Sequence, residues 1–208
     1  MPLYKTIIPN PQTIVKIWKI TEGYNELIKN LSLKKSSLSR VSGMKHVQHQ
    51  CGFLSVRQLL KTFGYTDQDL FYDENGKPHL KDGKYISITH SFNFSGVIIS
   101  DNHVGIDIEK QRNKITLIAN KFIGYEHEYL KETDSNYVKK LTVIWCIKEA
   151  LYKFFSTPGL SFKNHCLIIP FSDNDNTTKA WIDYNDKKTD YNVFFIDFEE
   201  FNCAYVIA

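Results

Sequence analysis

Val104-Gly105-Ile106-Asp107-Ile108-Glu109 alternates apolar and acidic side chains. Alternate residues of a β-strand share a face, so Ile106 and Ile108 turn to a core while Asp107 and Glu109 project together on the other side. Their Cα atoms then stand about 6–7 Å apart. Two carboxylates so close repel unless something positive sits between them, and a cage of hard oxygens suits Mg²⁺. Gly105 lets backbone or ligand approach closely. The competing reading is the solvent face of an edge strand.

A second segment, Trp145-Cys146-Ile147-Lys148-Glu149-Ala150-Leu151-Tyr152-Lys153, follows about 35 residues later. On a helix Trp145, Glu149 and Lys153 form one i, i+4, i+8 stripe. Glu149 is then a candidate third carboxylate for the same metal, and Lys153 a candidate phosphate partner. Taken alone, Glu149 and Lys153 also fit an ordinary surface ion pair worth a few tenths of a kcal/mol.

Around these segments the chain mixes strand and helix patterns without a regular βαβ period, which gives an α+β class. Strands are expected at Thr13–Ile20, 85–89, 96–100, 104–109, 166–170, 179–184, 191–198 and 203–207. Helices are expected at 25–31, 51–63, 116–122 and 135–155. Asp101-Asn102 reads as the turn of a hairpin between the strands at 96–100 and 104–109, and the natural division into halves falls there, 1–102 and 103–208.

The 208 residues are 42% hydrophobic and 14% aromatic, enough for a core, so wholesale disorder is excluded. No apolar run approaches the ~20 residues of a membrane span, and the N-terminus has no apolar signal region; a cytoplasmic protein is expected. Cys51, Cys146, Cys166 and Cys203 form no CxxC pair and read as reduced, buried thiols. The net charge of +3 hides an asymmetry: the first 50 residues carry eight basic and two acidic groups, the remainder 18 and 21. Such a segment attracts phosphates or an acidic partner; no nucleic-acid module is visible. His46 and His49 lack a third partner for a metal.

GIDIEK followed by WxxKEAxxK resembles the 4′-phosphopantetheinyl transferase superfamily, in particular its surfactin-synthetase-type branch. Gly76-Lys77-Pro78, Ser87-Ile88-Thr89-His90-Ser91 and Gly159-Leu160-Ser161-Phe162 appear in the family's order. The resemblance runs from about Phe71 to Phe171. It implies a pseudo-dimer of two similar α+β halves with the active site in the cleft between them. It implies transfer of the 4′-phosphopantetheine arm of coenzyme A to a serine of an apo acyl, peptidyl or polyketide carrier protein, Mg²⁺-dependent, with release of adenosine 3′,5′-bisphosphate: an enzyme of the holo-[acyl-carrier-protein] synthase type. By position, Asp107, Glu109 and Glu149 hold the metal, and Glu149 and Lys153 serve catalysis. Lys148 and Lys153 neighbour the pyrophosphate, and Lys45, Lys77, Pro78 and His90 meet coenzyme A. The branch implies a monomer, with no nucleic acid or membrane as partner.

Two places depart from the family pattern. Its glutamate after an aromatic pair falls at His127 here, flanked by Glu126 and Glu128; Glu128 is the preferred carboxylate, and His127 is a chemically reasonable base. The arginine for the coenzyme A 3′-phosphate is replaced near Gln48, with Lys45, His46 and Arg57 close by. The residues alone leave two alternatives open: another Mg²⁺-dependent phosphoryl enzyme, or a non-catalytic module binding coenzyme A or carrier proteins.

Overall fold

A computed structural model describes residues 2–208. The chain divides into two compact units, Met1–Val104 and Gly105–Ala208. Each mixes helices with an antiparallel sheet, the α+β class read from the sequence.

The first unit contains β1 (Leu3–Asn10), β2 (Thr13–Lys19), α1 (Tyr24–Ile28), α2 (Lys35–Ser42), α3 (Val47–Thr62), β3 (Leu70–Tyr72), β4 (Pro78–Leu80), β5 (Tyr85–Ser91) and β6 (Phe94–Ser100). Its main sheet has the order β1-β2-β6-β5, and β3 and β4 form a small ribbon. Helix α3 is enclosed nearly all round from Cys51 to Leu60, its buried Ser55 and Arg57 included. Val56, Leu59 and Leu60 pack with Trp18, Ile86, Val97 and Ile99 of the sheet.

A buried ion pair closes this unit. Arg57 of α3 lies 3.1 Å from Asp67, which also accepts hydrogen bonds from the Ser37 hydroxyl (3.1 Å) and the Lys34 amide (2.9 Å). The guanidinium sits 3.6 Å over the Phe53 ring. Arg57 is therefore a structural cation that ties α2 and α3 to the loop beyond, and it is not exposed for a phosphate.

The second unit contains β7 (Val104–Lys110), α4 (Ala119–Phe122), α5 (Tyr137–Phe155), α6 (Phe162–His165), β8 (Cys166–Ile168), β9 (Thr177–Tyr184), β10 (Lys187–Phe198) and β11 (Phe201–Ile207), with 3₁₀ turns at Asn113–Ile118 and Tyr125–Glu128. Its sheet has the order β7-β11-β10-β9-β8. Leu141, Ile144, Ile147 and Leu151 of α5 pack with Ile168, Ile182, Val193, Ala204 and Val206.

The expected hairpin between β6 and β7 does not form. β6 pairs with β2 and β5, whereas β7 is the edge strand beside β11. Asp101 and Asn102 cap the end of β6 instead: the Asp101 amide donates to Gln12 O and the Asn102 amide to Ser100 Oγ. The hairpin here is β5–β6, turning at Phe92-Asn93. β1 and α2 were not expected, since Pro9 and Pro11 interrupt one pattern and serines dilute the other. The segment expected as a helix at 116–122 is a 3₁₀ turn running into one turn of α4. All four cysteines are free and buried. Among the described residues, no helix is long and apolar enough to cross a membrane.

Candidate active site

Gly105 sets the geometry. A Cβ there would stand 2.0 Å from Ala150 O and 2.9 Å from Phe154 N, so β7 touches the backbone of α5 directly. That contact brings Asp107, two residues along the strand, to Lys153, three residues along the helix. Lys153 Nζ donates to Asp107 Oδ1 at 2.8 Å and to Ile106 O at 3.0 Å. Ile106 and Ile108 are fully enclosed, and Asp107 is 95% buried as well. The carboxylate face of the strand is therefore covered, which removes the solvent-face reading for Asp107.

Glu149 is half-buried on α5. Burial, then the negative charges of Asp107 and Glu109, push its carboxyl up to about 7, against the opposing pull of Lys153. Burial would lower the Lys153 ammonium, but Asp107 and Glu149 carry it above the ordinary lysine value. The four groups thus form one coupled electrostatic cluster within the second unit. Among the described residues, no three His, Cys, Asp or Glu side chains stand together closely enough to hold a metal ion. At Asp107 the Lys153 ammonium already supplies positive charge to Oδ1.

Lys148 is not part of this cluster. Adjacent helical residues point about 100° apart, so it leaves the Glu149 face and enters the core. Its side chain is fully buried; Nζ lies 2.8 Å from Glu126 Oε1 and donates to Phe122 O at 2.7 Å and Phe162 O at 2.9 Å. The structure thus separates Lys148 from the pyrophosphate role the sequence suggested. Glu126 is equally buried and accepts from the Gly124 and Ile168 amides, both at 2.9 Å. Glu128 and His127 are exposed on the same 3₁₀ turn. The enclosed carboxylate of this segment is therefore Glu126, which the sequence could not separate from Glu128 because a 3₁₀ turn has no period long enough to show its inward face.

A cavity of about 280 Å³ opens beside the acidic cluster, lined by Glu109, Lys110, Arg112, Ile115, Ile118 and Trp145 among others. Trp145 meets two phenylalanine rings, Phe122 at 5.0 Å and Phe162 at 5.6 Å, both edge-on. Leu117, at the rim segment, is 81% exposed.

The remaining sequence candidates lie in the first unit. His90 ends β5 and lines a cavity of about 180 Å³ with Gln48, His49, Gly52, Ser91 and Phe92. Gly52 is a glycine inside a helix because a Cβ there would stand 2.8 Å from His90 Cδ2. Lys77 and Pro78 are half-buried at the β3–β4 ribbon. Burial lowers the Lys77 ammonium, and burial followed by the Lys77 charge lowers His103, whose ring lies 4.2 Å from Tyr85. Lys45 is exposed in the bend before α3. His46 and His49 meet ring edge to ring face at 5.5 Å.

Residues 103–206 match the model of the 4′-phosphopantetheinyl transferase superfamily. A curated 4′-phosphopantetheinyl transferase, gsp, of Aneurinibacillus migulanus is 25% identical over 190 residues, 87% of this chain and 78% of that protein. The family match spans half of the chain and contains Asp107, Glu109, Glu149 and Lys153 together. The chain belongs to the 4′-phosphopantetheinyl transferase superfamily.

Proposed function

We propose that this enzyme transfers the 4′-phosphopantetheine arm of coenzyme A to a serine hydroxyl of an apo carrier protein and releases adenosine 3′,5′-bisphosphate. The observation that carries the reading is the Lys153–Asp107 contact at 2.8 Å with Glu149 one helical turn away, inside the segment that matches the family. The serine oxygen forms a bond to the phosphorus bearing the arm, the bond from that phosphorus to the nucleotide phosphate breaks, and the serine proton leaves. Glu149, half-buried one turn from Lys153 on α5, is the group assigned to take that proton. Lys153, held above its ordinary value, brings fixed positive charge to oxygens that become more negative in the transition state.

Asp107, Glu109 and Glu149 all offer hard oxygens, the donor type that Mg²⁺ takes, although as they stand no three of them are close enough together to hold an ion, so binding would have to draw them in. Bound there, Mg²⁺ would polarise the phosphoryl oxygen and stabilise the bisphosphate leaving group. The nucleotide side of coenzyme A is assigned to His90, Lys77, Pro78 and Lys45. Lys110, Arg112 and Lys114 beside Ile115, Ile118 and Leu117 suit an acidic carrier protein with an apolar contact patch, which assigns the carrier to the 280 Å³ cavity. With Glu128 exposed, proton removal is assigned to Glu149.

The test is intact-mass spectrometry of apo carrier proteins incubated with the enzyme, coenzyme A and Mg²⁺, with an EDTA control. A gain of one arm, abolished by EDTA and by Glu149→Gln, is expected. No gain on fatty-acid, polyketide and peptide-synthetase carriers alike would overturn the proposal.

A further inference from the structure

We infer that Lys148 is a positioning residue that shapes the acceptor side of the site through Trp145; this rests on the proposed assignment of the carrier protein to the cavity that Trp145 lines. The two carbonyls that Lys148 Nζ grips belong to Phe122 and Phe162. The rings of those same residues meet Trp145. One buried ammonium therefore fixes both jaws of the aromatic clamp. Phe122 comes from α4 and Phe162 from the start of α6, 40 residues apart in sequence; the two elements pack together through the Lys163 Nζ–Asn120 O bond (3.1 Å), and Lys148 is the group that holds the backbone carbonyls of both phenylalanines.

The partner carboxylate keeps the ammonium in place. Glu126 meets Lys148 at 2.8 Å while accepting the Gly124 and Ile168 amides. At Gly124 the turn packs directly on the backbone of α6, since a Cβ there would stand 2.5 Å from Lys163 O. The tether thus holds the 3₁₀ turn, α6 and β8 in one arrangement around α5. Trp145 presents the outcome to the cavity, next to Glu109. Lys148 touches neither substrate; it acts through two carbonyls and two rings.

A purely structural ion pair and a positioning device respond differently to repair. Lys148→Met alone strands the Glu126 charge and destabilises the fold. Lys148→Met combined with Glu126→Gln removes the stranded charge, keeps an amide oxygen for a backbone donor, and recovers stability. The two carbonyls still lose their common donor. In the refolded double variant, KM for the carrier protein is expected to rise about tenfold while kcat and KM for coenzyme A change less than about twofold. In protein labelled with 5-fluorotryptophan, the ¹⁹F resonance assigned by Trp145→Phe should shift or broaden, with those of Trp18 and Trp181 unmoved.

A double variant with a wild-type carrier KM and an unmoved Trp145 resonance would overturn the inference. So would equal loss in carrier and coenzyme A parameters, which marks a general structural role. Wild-type protein that modifies no carrier overturns the functional reading and the acceptor role with it; the ¹⁹F signal reports on the clamp independently of that outcome.

Discussion

Each unit buries one cation on its long helix against a carboxylate on a neighbouring turn, but the two pairs organise different amounts of chain. Arg57 and Asp67 are ten residues apart, and the groups around them, Lys34, Ser37 and Phe53, come from helices joined by short connections. Lys148 and Glu126, 22 residues apart, gather Phe122, Gly124, Phe162 and Ile168 from a span of 47 residues, against 34 from Lys34 to Asp67. The first is a local clasp on helix packing. The second sets the surroundings of a reactive helix face. Similar physics, a desolvated charge with every partner supplied, therefore serves stability in one unit and site geometry in the other.

The largest effects should come from breaking either pair on one side only. Arg57→Met and Lys148→Met each leave a buried carboxylate uncompensated and should cost about 3–5 kcal/mol in urea unfolding. They should differ in activity measured on the folded fraction: Arg57→Met near wild type, Lys148→Met impaired toward the carrier protein.

The two units also contrast in what a glycine faces. Gly105→Ala puts a methyl group against the Ala150 carbonyl, which cannot yield, so a loss of about 3 kcal/mol or more is expected together with loss of transfer activity. Gly52→Ala meets only the His90 imidazole, which can rotate, and gains up to about 1 kcal/mol of helix propensity. Its stability should change little, while coenzyme A binding, read by calorimetry, should weaken because His90 is displaced.

A pH series sharpens the contrast further. The Glu149 carboxyl is raised from 4.5 to about 7, so the native state binds this proton more tightly than the unfolded chain does. Its contribution is full below about 4.5 and lost as pH rises through about 7, a decline of about 1–3 kcal/mol in protein kept metal-free with EDTA. Glu149→Gln should flatten that part of the unfolding profile between pH 5 and 8; an unchanged slope would mean that Glu149 is not the group responsible.

The smallest effects lie in the hairpin turns. Phe92 at φ 51° in the first unit, and Glu199 and Glu200 at φ 46° and 64° in the second, hold left-handed backbone without being glycine. Glu199→Asn with Glu200→Gly should raise stability by about 1 kcal/mol, matching the residues such turns prefer. Phe92→Gly should gain less, because its ring lines the His90 cavity and that contact is lost.

Much of this was legible in the chain. The alternation in Val104–Glu109 gave the strand, its enclosed face and the site carboxylates, because a period of two survives in six residues. The i, i+4 stripe correctly grouped Glu149 with Lys153. Lys148 was misplaced because proximity in sequence to Glu149 says nothing about the face it shares, and a lysine is rarely read as core. Between Glu126 and Glu128 the choice turned on a single residue of register, and the enclosed one is Glu126. The Asp101-Asn102 turn misled because two polar residues between strands look alike whether the chain folds back or moves on to another sheet.

The contact at Gly105 has a consequence for anyone surveying mutational tolerance. A saturation library would mark position 105 as intolerant as Asp107 or Lys153, although it carries no functional group. What is inherited there is a vacancy one methyl wide, and a functional map drawn from loss of activity alone would mistake that empty volume for a participant in the chemistry.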